Sequence, residues 1–152
     1  MKRISKDSYY LEIAEAVSHR STCLKRRYGA VIVKNDEIIA TGYNGSVRGA
    51  ANCCDVGSCK RLAAPSNTGD YSDCHSVHAE QNALLSASRG EMIGATMYLY
   101  GDRGRASYGK GDEIMDVMWE PLESPEPCPI CRRMIANAGI IRVVTLENRS
   151  DD

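Results

Sequence analysis

The chain has 152 residues, 43% hydrophobic and 26% charged, with a formal net charge of −1 at pH 7. That is one ordinary globular domain, able to bury roughly 68–70% of its unfolded surface. The near-neutral balance excludes the strong field by which nucleic-acid or membrane-surface proteins draw their partners. Seven cysteines are the unusual feature. They are too sparse for a disulfide scaffold, and an odd number cannot all pair within one chain.

The opening stretch, Met1 to Asp7, is polar and gives no targeting leader, and runs such as Ala30 to Val33 are far too short to span a bilayer. A cytoplasmic chain without membrane contact is expected. In that reducing compartment clustered cysteines point to metal or catalysis more than to disulfides.

In chain order, residues 5 to 19 read as a helix, with Tyr10, Ile13, Ala14 and Val17 at helical spacing and Ser5 or Asp7 as N-cap. Two β-rich runs follow, Tyr28 to Lys34 and Glu37 to Tyr43, joined by the two-residue hairpin signal Asn35-Asp36. Residues 44 to 76 have no sustained period; a loop so long needs something to hold it. A second helix is expected over 77 to 88, stopping near Gly90, and then a strand over Ala95 to Tyr100. Residues 101 to 126 form another irregular stretch, with one short helical piece around Glu113 to Trp119. A third helix spans Pro129 to Ala138, closed by Gly139, and Ile140 to Leu146 is a final strand. Strands alternating with helices predict a single α/β domain over 1–152, three-layered, with a mixed, partly parallel sheet.

Two motifs carry chemistry: His78-Ala79-Glu80 and Pro127-Cys128-Pro129-Ile130-Cys131, each at the start of a predicted helix. Cys128 and Cys131 stand at i, i+3, so both sulfurs project from one side of the first turn, where the helix dipole favours thiolate. His78 and Glu80 are about 200° apart on a helical wheel and could not share a target in mid-helix; at a first turn they can. One His and two Cys supply three zinc ligands and leave a fourth position for water, as catalytic zinc requires. Glu80 is then placed as a proton carrier. A lone Cys-x-x-Cys can equally be a structural half-site or a redox pair, but the combination with His-x-Glu is the signature of zinc nucleobase deaminases.

On these motifs, with Arg20-Ser21-Thr22-Cys23, Gly29 to Val33, Thr41-Gly42-Tyr43-Asn44-Gly45, His78 to Ala83 and Ile135 to Ile140, the sequence resembles the deoxycytidylate (dCMP) deaminase branch of the cytidine and deoxycytidylate deaminases. The resemblance implies a three-layer α/β/α fold, usually in a homo-oligomer, often a hexamer. It implies His78, Cys128 and Cys131 as zinc ligands and Glu80 as general acid and base in hydrolysis of the cytosine C4–N bond. It places Asn44 at the substrate, with Tyr43, Ala79 and Arg20 as further candidate contacts. For a 5′-phosphate, Arg20, Lys25, Arg26 and Arg27 are candidates by charge, and a solvated basic face accounts for at least two of the four. Regulation by dCTP and dTTP is known among such relatives.

The same resemblance matches Cys23 and Cys53 to ligands of a second, structural zinc. Cys59 and Cys74 would complete a four-cysteine set that pins the 44–76 loop, with Cys54 or His75 as possible replacements and Lys25, Lys60 and Arg61 near enough to offset its charge. The chain departs from the branch at 101–126, an insertion near the active-site end that can act as lid, substrate wall, oligomer contact or packed surface excursion. The fifth strand of many relatives is then either missing or supplied by this insertion. Against dCMP stand deamination of another ring (cytidine, guanine, a pterin-like heterocycle) and a non-catalytic zinc-stabilised binding module; nucleic-acid editing is disfavoured by the charge balance.

Overall fold

A computed structural model describes residues 1–63, 72–111 and 113–151. The first helix, α1 (Lys6–Ser18), begins where Ser5 caps the Ser8 amide. Next come β1 (Arg26–Lys34) and β2 (Glu37–Tyr43), an antiparallel hairpin. Asn35 and Asp36 turn it with φ of 51° and 63°, the left-handed pair that suits the twist of a two-residue hairpin.

The 44–76 stretch is not structureless. It holds β3 (Gly45–Ser46), the single turns α2 (Cys53–Val56) and α3 (Lys60–Ala63), and β4 (Ser76–Val77); residues 64–71 lie outside the described residues. Gly45 pairs with Val77, so the two ends of the stretch close on each other and bring Asn44 beside the segment leading into His78.

The expected 77–88 helix is shorter, α4 (Ala79–Leu85), and a new turn, α5 (Arg89–Met92), follows. Ser88 restarts the helix: its hydroxyl accepts from the Glu91 amide while the Glu91 carboxylate accepts from the Ser88 amide. Gly90 therefore lies inside that second turn and stops nothing.

The largest correction concerns 101–126. The strand expected at 95–100 runs on as β5 (Thr96–Tyr108), and β6 (Ile114–Pro121) returns antiparallel to it. The helical piece expected around 113–119 is thus a strand. Ile114, Met115 and Met118 suit either period, and the open edge of β5 decides the matter by offering a full ladder. The chain then forms α6 (Pro129–Ala138), ended by left-handed Gly139, and β7 (Arg142–Val144).

The five-stranded sheet runs β2-β1-β5-β6, with β7 parallel to the first part of β5. Both β1 and β7 pair with Thr96 to Tyr98, and both β1 and β6 pair with Asp102 and Arg103, so β7 and β6 share the other edge of β5 in succession. The insertion thus brings this sheet to five strands. On one face α1 packs Tyr10, Leu11 and Ala14 onto Val31, Tyr98 and Tyr100. On the other, α4 and α6 cover Ala30, Ile32, Met97 and Leu99 with Ala83, Leu84 and Ile135. These are the three layers of the expected α/β/α sandwich. No helix among the described residues is long and apolar enough to cross a membrane.

Candidate metal centre and active site

Two helix entrances build the site. His78 occupies the N-cap of α4, and its amide donates to the Gln81 side chain at 2.9 Å. Cys128 is the N-cap of α6, with Pro129 in the first turn, and its sulfur accepts from the Cys131 amide at 3.4 Å. His78 Nδ1 stands 3.7 Å from Cys128 Sγ and 3.4 Å from Cys131 Sγ. Tetrahedral zinc, at about 2.0–2.1 Å to nitrogen and 2.3 Å to sulfur, sets such donors about 3.6 Å apart. The residues therefore fit the ion. Among the described residues these three are the set of metal-ligating side chains whose donor atoms all lie within 4.8 Å.

Glu80, 5% exposed, sits in the first turn of α4. Burial pushes its carboxyl group above the usual range, opposed by its own backbone amide and by His78. A carboxyl group raised in this way holds a proton more readily than a solvated glutamate. Two dipole-positive helix ends, a three-donor metal set and a buried carboxyl group together suit a metal that would acidify water beside a group able to take up its proton.

Two close approaches seat α4. A β-carbon on Gly42 of β2 would stand 2.3 Å from the Ala79 carbonyl oxygen, so only glycine lets the helix lie this near the strand. The Asn82 side chain also donates to the Tyr43 carbonyl oxygen at 2.8 Å.

The candidate substrate contacts divide. Asn44 is 5% exposed and spends its amide on β1: its oxygen accepts from the Tyr28 amide at 2.8 Å, and its nitrogen donates to the Arg26 carbonyl oxygen at 2.9 Å. One donor hydrogen and one lone pair remain free for a substrate. Tyr43 alternates with Gly42, so its side chain points to the sheet face away from α4. Ala79 is fully buried at the helix start, and Arg20 is exposed at the end of α1. Arg27 is committed elsewhere: it pairs with the buried carboxylate of Asp102 and lies 4.6 Å over the Trp119 ring.

Sequence reasoning missed Tyr28. Half-buried, its ring lies against Gly101, and its hydroxyl is hydrogen-bonded to Arg26 within electrostatic reach of Glu80. Burial raises this phenol above its ordinary value. Strand alternation from Ala30 and Ile32 is the signal that could have placed it on the site face.

In the loop, burial pushes the Cys23 thiol up, the amides of Arg26 and Lys25 pull it down, and Cys59 and Cys74 raise it further. Cys53 is raised by burial and by Cys59, Cys23 and Cys74. Cys59 and Cys74 thus lie within electrostatic reach of both Cys23 and Cys53, but among the described residues these sulfurs are not drawn within 4.8 Å of one another as the His78 set is. Cys54 is exposed, with its thiol toward Asp55 at 3.7 Å, and His75 is exposed.

The family model for the cytidine and deoxycytidylate deaminase zinc-binding region matches residues 4–147. A deoxycytidylate deaminase of Mycobacterium phage D29 is 38% identical over 150 residues, covering 95% of this chain and 96% of that one. One from Schizosaccharomyces pombe is 48% identical over 101 residues, covering 66% of this chain but only 31% of its own length. Among solved structures, the dCMP deaminase of cyanophage S-TIM5 in complex with dCMP and dUMP superposes with a TM-score of 0.58 at 26% identity, covering 94% of this chain and 82% of that one. With the zinc-ligand geometry, the buried glutamate and the family match all on one domain, the chain belongs to the cytidine and deoxycytidylate deaminase family.

Proposed function

We propose that this protein is a zinc-dependent hydrolytic deaminase that converts dCMP to dUMP and ammonia. The observation that carries the reading is the His78, Cys128 and Cys131 donor set beside buried Glu80, in a chain that aligns end to end with the phage D29 deoxycytidylate deaminase. When bound, zinc supplies the Lewis acidity that makes water nucleophilic near neutral pH. Glu80 takes the proton released by that water and gives it to N3 of cytosine. It then carries a second proton to the amine leaving C4, so the products are a uracil ring and ammonia. The remaining donor and lone pair of Asn44 face the sugar and base, with the main chain at Ala79 as a second contact.

A second, structural zinc on Cys23, Cys53, Cys59 and Cys74 is part of this proposal. Its support is that Cys59 and Cys74 lie within electrostatic reach of both Cys23 and Cys53, and that two backbone amides are directed at the Cys23 sulfur. Metal analysis of the purified chain decides it: two zinc ions per chain are expected, and one would remove the loop site. We also expect a homo-oligomer, measured by light scattering, and sensitivity to dCTP and dTTP, measured in the assay below.

Ammonia release from a panel of dCMP, deoxycytidine, cytidine and guanine tests the substrate. Turnover of cytidine or guanine without dCMP would overturn the choice.

A further inference from the structure

The β5–β6 hairpin brings a second arginine to the face of the sheet that carries the metal centre. Arg26 of β1 lies directly opposite Arg103 of β5, two pairs beyond Tyr28 and Gly101. Directly opposed residues project to one side, and residues two apart along a strand share that side. A β-carbon on Gly101 would meet the Tyr28 ring at 2.4 Å, so this side is the one Tyr28 occupies. That ring packs with the core beneath α4 and α6. The arginine pair therefore stands about 6.8 Å farther out on the site face, by the rise of two antiparallel residues.

Two like charges placed opposite each other are destabilising unless something lies between them. Among the described residues neither guanidinium has a carboxylate partner. Glu120, which faces Arg103 across the hairpin, is taken by Arg105 at 3.0 Å. Asp102 is taken by Arg27 on the opposite face. Arg26 is hydrogen-bonded to the Tyr28 hydroxyl. The backbone beneath the pair is fixed as well: Asn44 holds the Arg26 carbonyl and the Tyr28 amide, and the Gly104 amide donates to the Lys25 carbonyl oxygen at 2.9 Å. Two arginines in fixed backbone register on the face of a buried site suit a doubly charged, three-oxygen anion.

We propose that Arg26 and Arg103 form a clamp for a phosphate monoester, and that in this enzyme it receives the 5′-phosphate of the nucleotide. The assignment of the phosphate to a substrate rests on the dCMP reading above. It retains Arg26 from the four phosphate candidates of the sequence, sets aside Arg20, exposed at the end of α1, and adds Arg103, a residue of the insertion that the sequence did not mark.

The test compares dCMP with deoxycytidine in wild type, Arg103→Gln and Arg103→Lys. Loss of a charge-assisted contact should raise KM for dCMP relative to deoxycytidine roughly ten- to hundredfold in Arg103→Gln. Arg103→Lys should recover part of the loss. Arg105→Gln, on the same face but already paired, should keep the wild-type ratio. A second readout does not need turnover. Inorganic phosphate titrated into protein labelled with 15N-arginine should shift the Arg26 and Arg103 side-chain signals, and Arg103→Gln should abolish the response at Arg26. An unaltered KM ratio in Arg103→Gln, an equal loss in Arg105→Gln, or arginine signals indifferent to phosphate would each overturn the clamp. A wild-type chain that deaminates deoxycytidine but not dCMP, while phosphate still shifts both arginines, would remove the substrate reading and leave the clamp standing.

Discussion

Gly42 lies flat against the first turn of α4, where a β-carbon would come within 2.3 Å of both the Ala79 carbonyl oxygen and the Ala83 amide nitrogen. Both atoms are backbone, so no side-chain rotation could relieve the clash. Since His78 and Glu80 ride on that turn, the strand-to-helix distance sets the position of half the metal centre. Gly42→Ala should cost about 1–3 kcal/mol or more, the range for overpacking, and lower zinc occupancy with it. Thermal denaturation and metal analysis on the same sample check this; full zinc content at unchanged stability would mean that the spacing does not govern the site.

Glu80→Gln keeps the shape of the side chain and removes its capacity to carry protons. Turnover should fall by about 10²–10⁴-fold, the usual contribution of a general acid–base, while zinc content stays at the wild-type level. Undiminished ammonia release from the variant would refute the role.

Asp102 is almost wholly buried and takes Arg27 on one side and the Tyr100 hydroxyl at 2.9 Å on the other, with Arg27 stacked on Trp119 of β6. Asp102→Ala strands a guanidinium that is 22% exposed. A loss of about 3–5 kcal/mol is expected, as for other broken buried pairs. Hydrogen exchange should quicken in Ile114 to Pro121 before it does in Val31 to Val33, because this cluster fastens the hairpin to β1. Uniform exchange in the variant would show that the hairpin holds without it.

Asp7 gathers Arg142, the Ser150 amide and hydroxyl, and the Tyr98 hydroxyl onto one buried carboxylate. Burial alone would raise its pKa, but these donors outweigh it and hold the group below its ordinary 3.8. A depressed folded value means that the stabilisation is complete above the ordinary value. It is lost as pH falls through the folded one. Asp7→Asn should therefore destabilise the protein at neutral pH by about 1.5–3 kcal/mol. The difference from wild type should shrink only in strong acid, below about pH 4. Urea denaturation from pH 7 downward reads both; a gap that closes near pH 6 would place the cause elsewhere.

Local rules made much of the molecule legible. Ser5, Asn35-Asp36 and Gly139 are cap and turn residues whose effect is confined to a few neighbours, and each marks its element as expected. The His78, Glu80, Cys128 and Cys131 constellation was legible for a similar reason: it depends on two helix first turns, each encoded within four residues. The Ser88 restart was missed although it too is local, because Leu84, Leu85 and Ala87 carry a helical pattern across the break.

What the sequence determined by itself is which candidate groups stand at which helix starts, the His78, Cys128 and Cys131 donors with Glu80 beside them, and most of the alternation of strand and helix. What only the tertiary structure decided is where side chains are spent. Whether 113–119 is helix or strand depended on an open edge of β5. Arg26 and Arg27 are adjacent and identical in chemistry. Register against β5 turns Arg27 to Asp102 and Trp119, and turns Arg26 to the site face opposite Arg103. Asn44 gives most of its amide to a strand sixteen residues away in sequence. Such outcomes are set by pairing between distant segments, and a one-residue change of register would reverse every one of those faces.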